Sequence, residues 1–352
     1  MTIRKLHRYL ALFAAAFWLI QISTGLAIVF SPELDNATLR GESVPADAAA
    51  LGARIHTIEQ AGGHVSSLWV ASRAADRFDV FYHDQSGVDR LMRVDGAGRV
   101  LRDGSGDALF TNGGFFRTLT SIHTSLLAGD VGEWIVAVSG VLLFSSLALG
   151  LKLAWPRAGM WRRSLFLQPA RNAAARFYGI HRTIGLWVAT PTLLIIAAGL
   201  ALVFADTLEG SLNVAHEPPV AAPRGSSTTP AEAIAIALTR FPGSTLTLLA
   251  MPADGEQWFR IRVHAAGEVP RLYGSTTLYV STADGSVLRE YPAAAASARR
   301  TFYDLIYPFH TGQLGALPGR IVLLSIGVLL ITLGVFGIRL WLTRRKPQRS
   351  GA

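Results

Sequence analysis

The sequence predicts a membrane protein whose all-α part is a four-helix bundle and whose two outer parts are small α+β modules. Half of the 352 residues are hydrophobic and only 16% are charged, whereas an ordinary soluble domain carries roughly 25% charged residues. Four segments lack Asp, Glu, Lys and Arg, and each is long enough to cross a bilayer, which takes ~20 apolar residues. They are 9–30, 134–151, 183–205 and 321–338.

The first span is expected to be a retained helix rather than a cleaved signal peptide. Its apolar run is longer than a usual signal-peptide core, and no small-x-small cleavage site follows it. The N-terminal tip, the connection between the second and third spans and the C-terminal tail carry 15 Lys or Arg and no Asp or Glu. By the positive-inside rule, both termini and this connection face the cytoplasm. The net charge of +9 is therefore a topology signal, and lipid rather than nucleic acid is the expected partner.

The predicted organisation follows from these spans. In chain order it comprises a first membrane helix (1–31), a first outer module (32–114), an interfacial helix with the second membrane helix (115–155), a cytoplasmic connection (156–178), a third membrane helix (179–206), a second outer module (207–296), an interfacial helix with the fourth membrane helix (297–343) and a cytoplasmic tail (344–352).

Each outer segment combines helical and strand-like patterns. The amphipathic stretches 47–61 and 230–241 predict one helix in each module. Alternating runs then predict strands, and Asp and Gly residues near 95–98 and 284–285 suit hairpin turns. No dinucleotide-binding or P-loop motif occurs, so any NAD(P)H or ATP chemistry would need a separate partner.

The two halves of the chain resemble each other, which predicts an internal duplication. Leu-His-Arg at 6–8 recurs as Ile-His-Arg at 180–182, and Gly25 recurs as Gly199, both at an offset of 174. His-Thr at 123–124 recurs at 310–311, at an offset of 187. Duplication within a membrane protein often marks a site shared between the halves.

Four of the nine histidines lie at matched ends of the spans. His7 and His181 are at the cytoplasmic ends of the first and third spans, and His123 and His310 precede the second and fourth spans on the outer side. Pairs of imidazoles on facing helices suit the iron of a b-type haem. Because cysteine is absent, covalent c-type attachment and thiolate sites are excluded. The sequence therefore predicts two b-type haems, one held by His7 with His181 and one by His123 with His310.

Histidines and glycines near a membrane interface also occur without haem. An interfacial histidine is tolerated there simply because it is polar, and zinc would need three or four ligands at one point, whereas each level offers two histidines. Gly25 and Gly199 lie 18 residues after their histidines, on the same helix face. Each glycine would admit either a flat macrocycle or a neighbouring helix.

Arginines near both levels are candidate partners of haem propionates. Arg8 and Arg182 lie at the inner level, although positive-inside topology explains them equally well, and Arg117 with Arg300 lies at the outer level. No catalytic residue and no substrate-pocket residue is assigned.

The chain resembles the bacterial PepSY-associated transmembrane family. The resemblance rests on Arg-Lys-Leu-His-Arg at 4–8, on His123 with Gly-Glu-Trp-Ile-Val at 132–136, on His-Arg-x-x-Gly-Leu-Trp at 181–187, and on His-Thr-Gly at 310–312 with Pro-Gly-Arg at 318–320. The outer modules are similar to PepSY domains. Glu133 stands where the family more often has arginine, whereas Arg320 keeps that arginine in the second half.

The resemblance implies a di-haem oxidoreductase of the bacterial inner membrane, of the ferric-siderophore reductase type. Electrons would enter near the inner histidines, from a quinol or a cytoplasmic reductase, and leave near the outer ones. Reduction of periplasmic ferric siderophore would release Fe(II) for iron uptake. The alternatives are a non-redox PepSY sensor or binding protein, and a haem-b subunit that passes electrons to a partner enzyme.

Overall fold

The computed structural model describes residues 2–219 and 223–345. Lys346 and Arg349 of the predicted cytoplasmic tail lie outside the described residues. The chain divides into two compact units, which we call the membrane unit and the sheet unit. The membrane unit comprises Met1–Val29, Leu119–Ala205 and Phe309–Ala352, and the sheet unit comprises Phe30–Thr118 and Asp206–Pro308.

Helices occur in both units. In chain order they are α1 (Ile3–Ile28), α2 (Ser31–Ala37), α3 (Ala48–Gln60), α4 (Gly114–Ser125), α5 (Gly129–Ala154), α6 (Trp161–Ser164), α7 (Ala173–Val203), α8 (Ala205–Leu212), α9 (Pro230–Arg240), α10 (Ala298–His310) and α11 (Ala316–Arg345).

The four predicted spans are confirmed as helices. Within the described residues, α1, α5, α7 and the segment that contains α11 are the helices long and apolar enough to cross a membrane. Two of them begin at capping residues that satisfy exposed backbone N–H groups: the Thr2 side chain accepts from the Lys5 N–H, and the Asn172 side chain accepts from the Ala175 N–H. The chain is therefore a membrane protein.

The membrane helices pack as a ring. α1 contacts α5 and α11, and α7 contacts the same two helices, so α1 and α7 face each other across the bundle. Glycines allow close approach between neighbours: Gly140 of α5 lies under Leu200 of α7, and Gly327 of α11 lies under Leu26 of α1. Leu147, Val188 and Leu333 form a buried cluster in the interior.

The sheet unit contains eight antiparallel strands in one sheet, in the order β4-β3-β2-β1-β5-β6-β7-β8. They are β1 (His64–Val70), β2 (Arg77–His83), β3 (Asp89–Asp95), β4 (Val100–Ser105), β5 (Thr245–Ala250), β6 (Trp258–His264), β7 (Thr276–Ser281) and β8 (Val287–Tyr291).

The two predicted modules form the two halves of this sheet, a joining that the sequence analysis did not predict. β1 pairs with β5, with Trp69 opposite Leu248, so each half supplies four strands. The helices of the two halves also meet, because Gly52 of α3 lies directly against Ala231 of α9. One hydrophobic core, which includes Ile55 and Ile234, underlies both halves. Burial of that shared core explains why the halves join.

Both predicted hairpin turns are confirmed. They connect β3 to β4 and β7 to β8, with Gly98 at φ +70° and Gly285 at φ +71°, a conformation that glycine adopts without steric cost. The Asp95 carboxylate accepts backbone N–H groups of its turn, and the Asp284 carboxylate does the same in the other half. The predicted helices 47–61 and 230–241 are α3 and α9.

Candidate functional site

The membrane unit brings the four predicted histidines together in two pairs. The ring centres of His7 and His181 are 6.3 Å apart, with an angle of 53° between the ring planes. The ring centres of His123 and His310 are also 6.3 Å apart, with an interplanar angle of 37°. The partners that the sequence matched by depth are therefore neighbours in space.

Each histidine ring is held by one backbone carbonyl of a neighbouring helix. The Nδ1 atom of His7 lies 2.9 Å from the Ser146 oxygen, and that of His181 lies 2.9 Å from the Leu333 oxygen. At the other level, His123 Nδ1 is 3.0 Å from the Gln21 oxygen and His310 Nδ1 is 2.9 Å from the Ile195 oxygen. A carbonyl oxygen only accepts, so every Nδ1 carries the proton and every Nε2 keeps its lone pair for a ligand bond.

A glycine lies under every ring, one helical turn after the carbonyl that binds it. A Cβ atom at the glycine would approach the histidine Cε1 to between 2.7 and 3.1 Å. The four pairs of glycine and histidine are Gly150 with His7, Gly337 with His181, Gly25 with His123, and Gly199 with His310. We call each combination of a carbonyl and the glycine four residues later a histidine cradle.

The cradles correct the sequence interpretation of two glycines. Gly25 and Gly199 were expected to admit a flat macrocycle or a neighbouring helix, and the structure instead places an imidazole over each of them. A glycine lacks the side chain that would cover the carbonyl one turn earlier, so the ring reaches that oxygen. Sequence reasoning assigned no role to Gly150 and Gly337. Their recurrence at the histidine offset of 187 is the pattern that points to them.

The spacing of each pair fits two imidazoles on opposite sides of one metal ion. A metal–nitrogen distance of about 2.0–2.1 Å on each side, together with the radii of the two rings, places the ring centres roughly 6 Å apart. Among residues 2–219 and 223–345, no group of three or more His, Cys, Asp and Glu side chains is placed to hold a metal ion. A two-ligand site of this kind suits an iron whose other four positions belong to a macrocycle.

Both histidines of the outer pair are partly buried. Burial, followed by the proximity of His310, lowers the pKa of His123 to about 4. Burial also lowers the pKa of His310. Both imidazoles are therefore neutral at neutral pH, which is the form that binds a metal.

The candidate propionate arginines have protein partners in the structure. Arg182 donates to the Ala154 carbonyl at 2.9 Å and to Ser164 Oγ at 3.1 Å, so it closes the C-terminal end of α5. Arg117 donates to the Ala108 carbonyl at 3.1 Å. The exposed Arg8 lies over its neighbour Tyr9, with 5.1 Å between the guanidinium carbon and the ring centre.

Arg300 forms ion pairs with two carboxylates. Its guanidinium donates two hydrogen bonds to the Asp304 carboxylate, at 3.0 and 2.9 Å, and one to Glu209 at 2.8 Å. Its side chain is only 13% exposed. Its guanidinium is therefore held by two carboxylates of the sheet unit.

Arg320 is a buried residue to which the sequence analysis assigned no role. It is 3% exposed, and its Nε and Nη2 atoms donate to the Val29 carbonyl at 3.2 and 2.6 Å. This contact ties the beginning of α11 to the chain just after α1.

Comparison with protein families identifies the chain over almost its full length. The model of the PepSY-associated TM region matches residues 4–344, which is nearly the whole chain. A comparison with curated proteins finds no match.

Proposed function

Because the chain belongs to the PepSY-associated transmembrane family, we propose that it is a di-haem oxidoreductase of the bacterial inner membrane that reduces ferric siderophore in the periplasm. The observation that carries the proposal is the pair of 6.3 Å histidine spacings, each made of imidazoles whose Nδ1 atoms are held by carbonyls. The proposal includes cytoplasmic termini, a periplasmic sheet unit and an internal duplication that relates the two halves.

Haem b, when bound, supplies reversible one-electron transfer. His7 with His181 would hold one group and His123 with His310 the other, through their Nε2 atoms. The carbonyl at each Nδ1–H fixes the ring orientation and makes the imidazole a stronger electron donor to a metal. The two levels are 18 residues apart on α1, from His7 to Gly25, which corresponds to about 27 Å of helix. The histidines are thus arranged at two depths of one bundle.

The substrate is the ferric siderophore, and each Fe(III) accepts one electron to become Fe(II). Hydroxamate-type chelators hold Fe(II) poorly, so reduction releases the metal for uptake. The electron donor is a quinol or a cytoplasmic reductase, since the chain carries no nucleotide-binding motif of its own.

Haem content is the first test of this proposal. A pyridine haemochromogen assay on the detergent-purified full chain should give about two b-type haems, with a low-spin reduced-minus-oxidised spectrum. His310→Ala and His181→Ala should each remove one haem. His56→Ala is the matched control, because His56 lies on the surface of α3 beside Gln60, and it should keep both. A haem-free wild type, or both haems retained in both variants, would refute the ligand assignment.

Substrate reduction needs its own test. The dithionite-reduced protein should be reoxidised by a ferric hydroxamate siderophore, with one electron consumed per iron. The gallium(III) complex of the same siderophore is the control, because it has a similar shape and does not accept the electron. Two haems without reoxidation would refute the substrate and leave the haem-b subunit of a partner enzyme as the function.

A further inference from the structure

The sheet unit carries a group of arginines on the face opposite α9. In β6, the buried Phe259, Ile261 and Val263 belong to the core that α9 also joins. Arg260 and Arg262 alternate with them along the strand, and successive side chains of a strand point to opposite faces. Both arginines therefore project from the other face, where Arg260 is exposed and Arg262 is half-buried.

The carboxylates near this group are already engaged. Asp304 receives two hydrogen bonds from Arg300, and its carboxylate is 3.8 Å from Arg271 Nη1. The Arg271 side chain is 10% exposed, and its buried Nε atom has no hydrogen-bond partner among the residues that the structure describes. Arg271 Nη1 donates to Ser275 Oγ at 3.0 Å and to the Asp304 carbonyl at 3.1 Å. The Glu268 carboxylate also attracts Arg271, but it accepts hydrogen bonds from Ser275 and Thr276, so both carboxylates near Arg271 have other partners.

Arg262 lies near the positive charges of three other arginines. Burial, followed by the guanidinium charges of Arg271, Arg260 and Arg300, lowers its pKa to about 10, and Asp304 offsets only part of this. The residue still carries its charge at neutral pH. Within residues 2–219 and 223–345, the ion pairs include none that involves Arg260 or Arg262.

The first half of the sheet shows how a buried arginine is balanced on the same face. Arg93 of β3 contacts Asp79 at 2.5 Å and Asp35 at 3.1 Å, and these carboxylates raise its pKa although burial opposes them. Arg93 and Arg262 lie in one row across the sheet, which runs through Arg93, Asp79, Trp69, Leu248 and Arg262. In the second half, Arg262 instead lies opposite Leu248 and Thr277 of its two neighbouring strands, and neither of these residues carries a charge.

We propose that Arg262, Arg260 and Arg271 form an oxyanion-binding subsite that takes a carboxylate or phosphate group of a ligand. Guanidinium groups bind both kinds of oxyanion through paired hydrogen bonds. The exposed Arg260 leaves the subsite accessible to solvent, and the bound oxygens would add negative charge beside Arg260 and Arg262. The subsite requires neither haem nor an electron donor, so it goes beyond the proposed function.

The test is isothermal titration of the purified full chain with citrate and, separately, with inorganic phosphate at low ionic strength. At least one of these anions should bind saturably, and added salt should weaken the binding because it screens the charges. Arg262→Gln should weaken it at least tenfold. Arg260→Gln should weaken it as well, and because Arg260 is exposed, this variant poses little risk to folding.

Arg240→Gln is the matched control. Arg240 is an exposed arginine at the end of α9, paired with Glu290 at 2.7 Å, and its replacement should leave anion affinity unchanged. Haem content is measured on the same samples, and the Arg262 and Arg260 variants should lose anion binding while they keep the haem content of the wild type. Absence of saturable binding for both anions, or unchanged affinity in both variants, overturns the subsite.

Discussion

Gly199→Ala adds one methyl group at the tightest of the four histidine cradles. The new Cβ would lie 2.7 Å from Cε1 and 3.1 Å from Nδ1 of His310. Carbon atoms make favourable contacts at about 3.5–4.0 Å, so the ring must retreat by about 0.8 Å. This retreat stretches the 2.9 Å hydrogen bond from His310 to the Ile195 carbonyl. Metal–ligand distances tolerate only about 0.2 Å, so in the proposed site His310 should no longer hold its haem.

The assay is haem content together with the low-spin spectrum of the purified chain. On the proposed function, Gly199→Ala should lower the content from about two haems to about one, or convert one haem to a high-spin form. Gly185→Ala is the control in the same helix, because its Cβ would meet Leu333 at an ordinary 3.6 Å. Two low-spin haems in Gly199→Ala would show that the cradle does not position the ligand.

The remaining predictions concern stability. Arg320→Gln removes charged hydrogen bonds to the Val29 carbonyl and should destabilise the membrane unit by about 1.5–3 kcal/mol, measured as a lower aggregation temperature in detergent. Gly52→Ala places a Cβ 2.6 Å from that of Ala231 and should cost about 1–3 kcal/mol, measured as faster limited proteolysis of the sheet unit. Thr229→Ala removes the capping box of α9 and should cost about 0.5–2 kcal/mol, measured by denaturant titration of the full chain.

Each of these variants has a control in a similar setting. Arg339→Gln replaces an exposed arginine of α11, Gly210→Ala fills open space in α8, and Thr239→Ala replaces an exposed threonine of α9. The controls should match the wild type within about 0.5 kcal/mol. Equal losses in a variant and its control would contradict the mechanism given for that variant.

The sequence was sufficient for the spans and for the histidine pairs, because the first depend on local composition and the second on an internal repeat that is visible in the sequence. Uncharged runs of bilayer length define the helices. The repeat offsets of 174 and 187 match His7 with His181 and His123 with His310. The sequence could not predict which carbonyls bind the histidines, because every residue type carries the same backbone oxygen. Which oxygen meets a ring depends on the rotation and height of two packed helices.

In the sheet, too, the sequence predicted the local elements but not the contacts between distant parts of the chain. Alternation of apolar and polar residues located the strands, and the Asp and Gly pattern located the hairpins. The pairing of β1 with β5 was not predicted, because these strands are far apart in the chain and no local pattern records their contact. The ion pair between Arg300 and Glu209 was not predicted for a related reason, since the two residues lie 91 positions apart.

The pairing of Trp69 with Leu248 also determines the order in which the sheet can be completed. These residues are 179 positions apart, and α5 and α7 lie between them in the chain. At about 5–20 residues per second, synthesis of that interval takes about 9–36 s. During this time the first half of the sheet has emerged with the edge of β1 unpaired, and an open edge is a template for pairing with other chains. The nascent protein therefore passes through a stage at which protection of one strand edge decides between folding and aggregation.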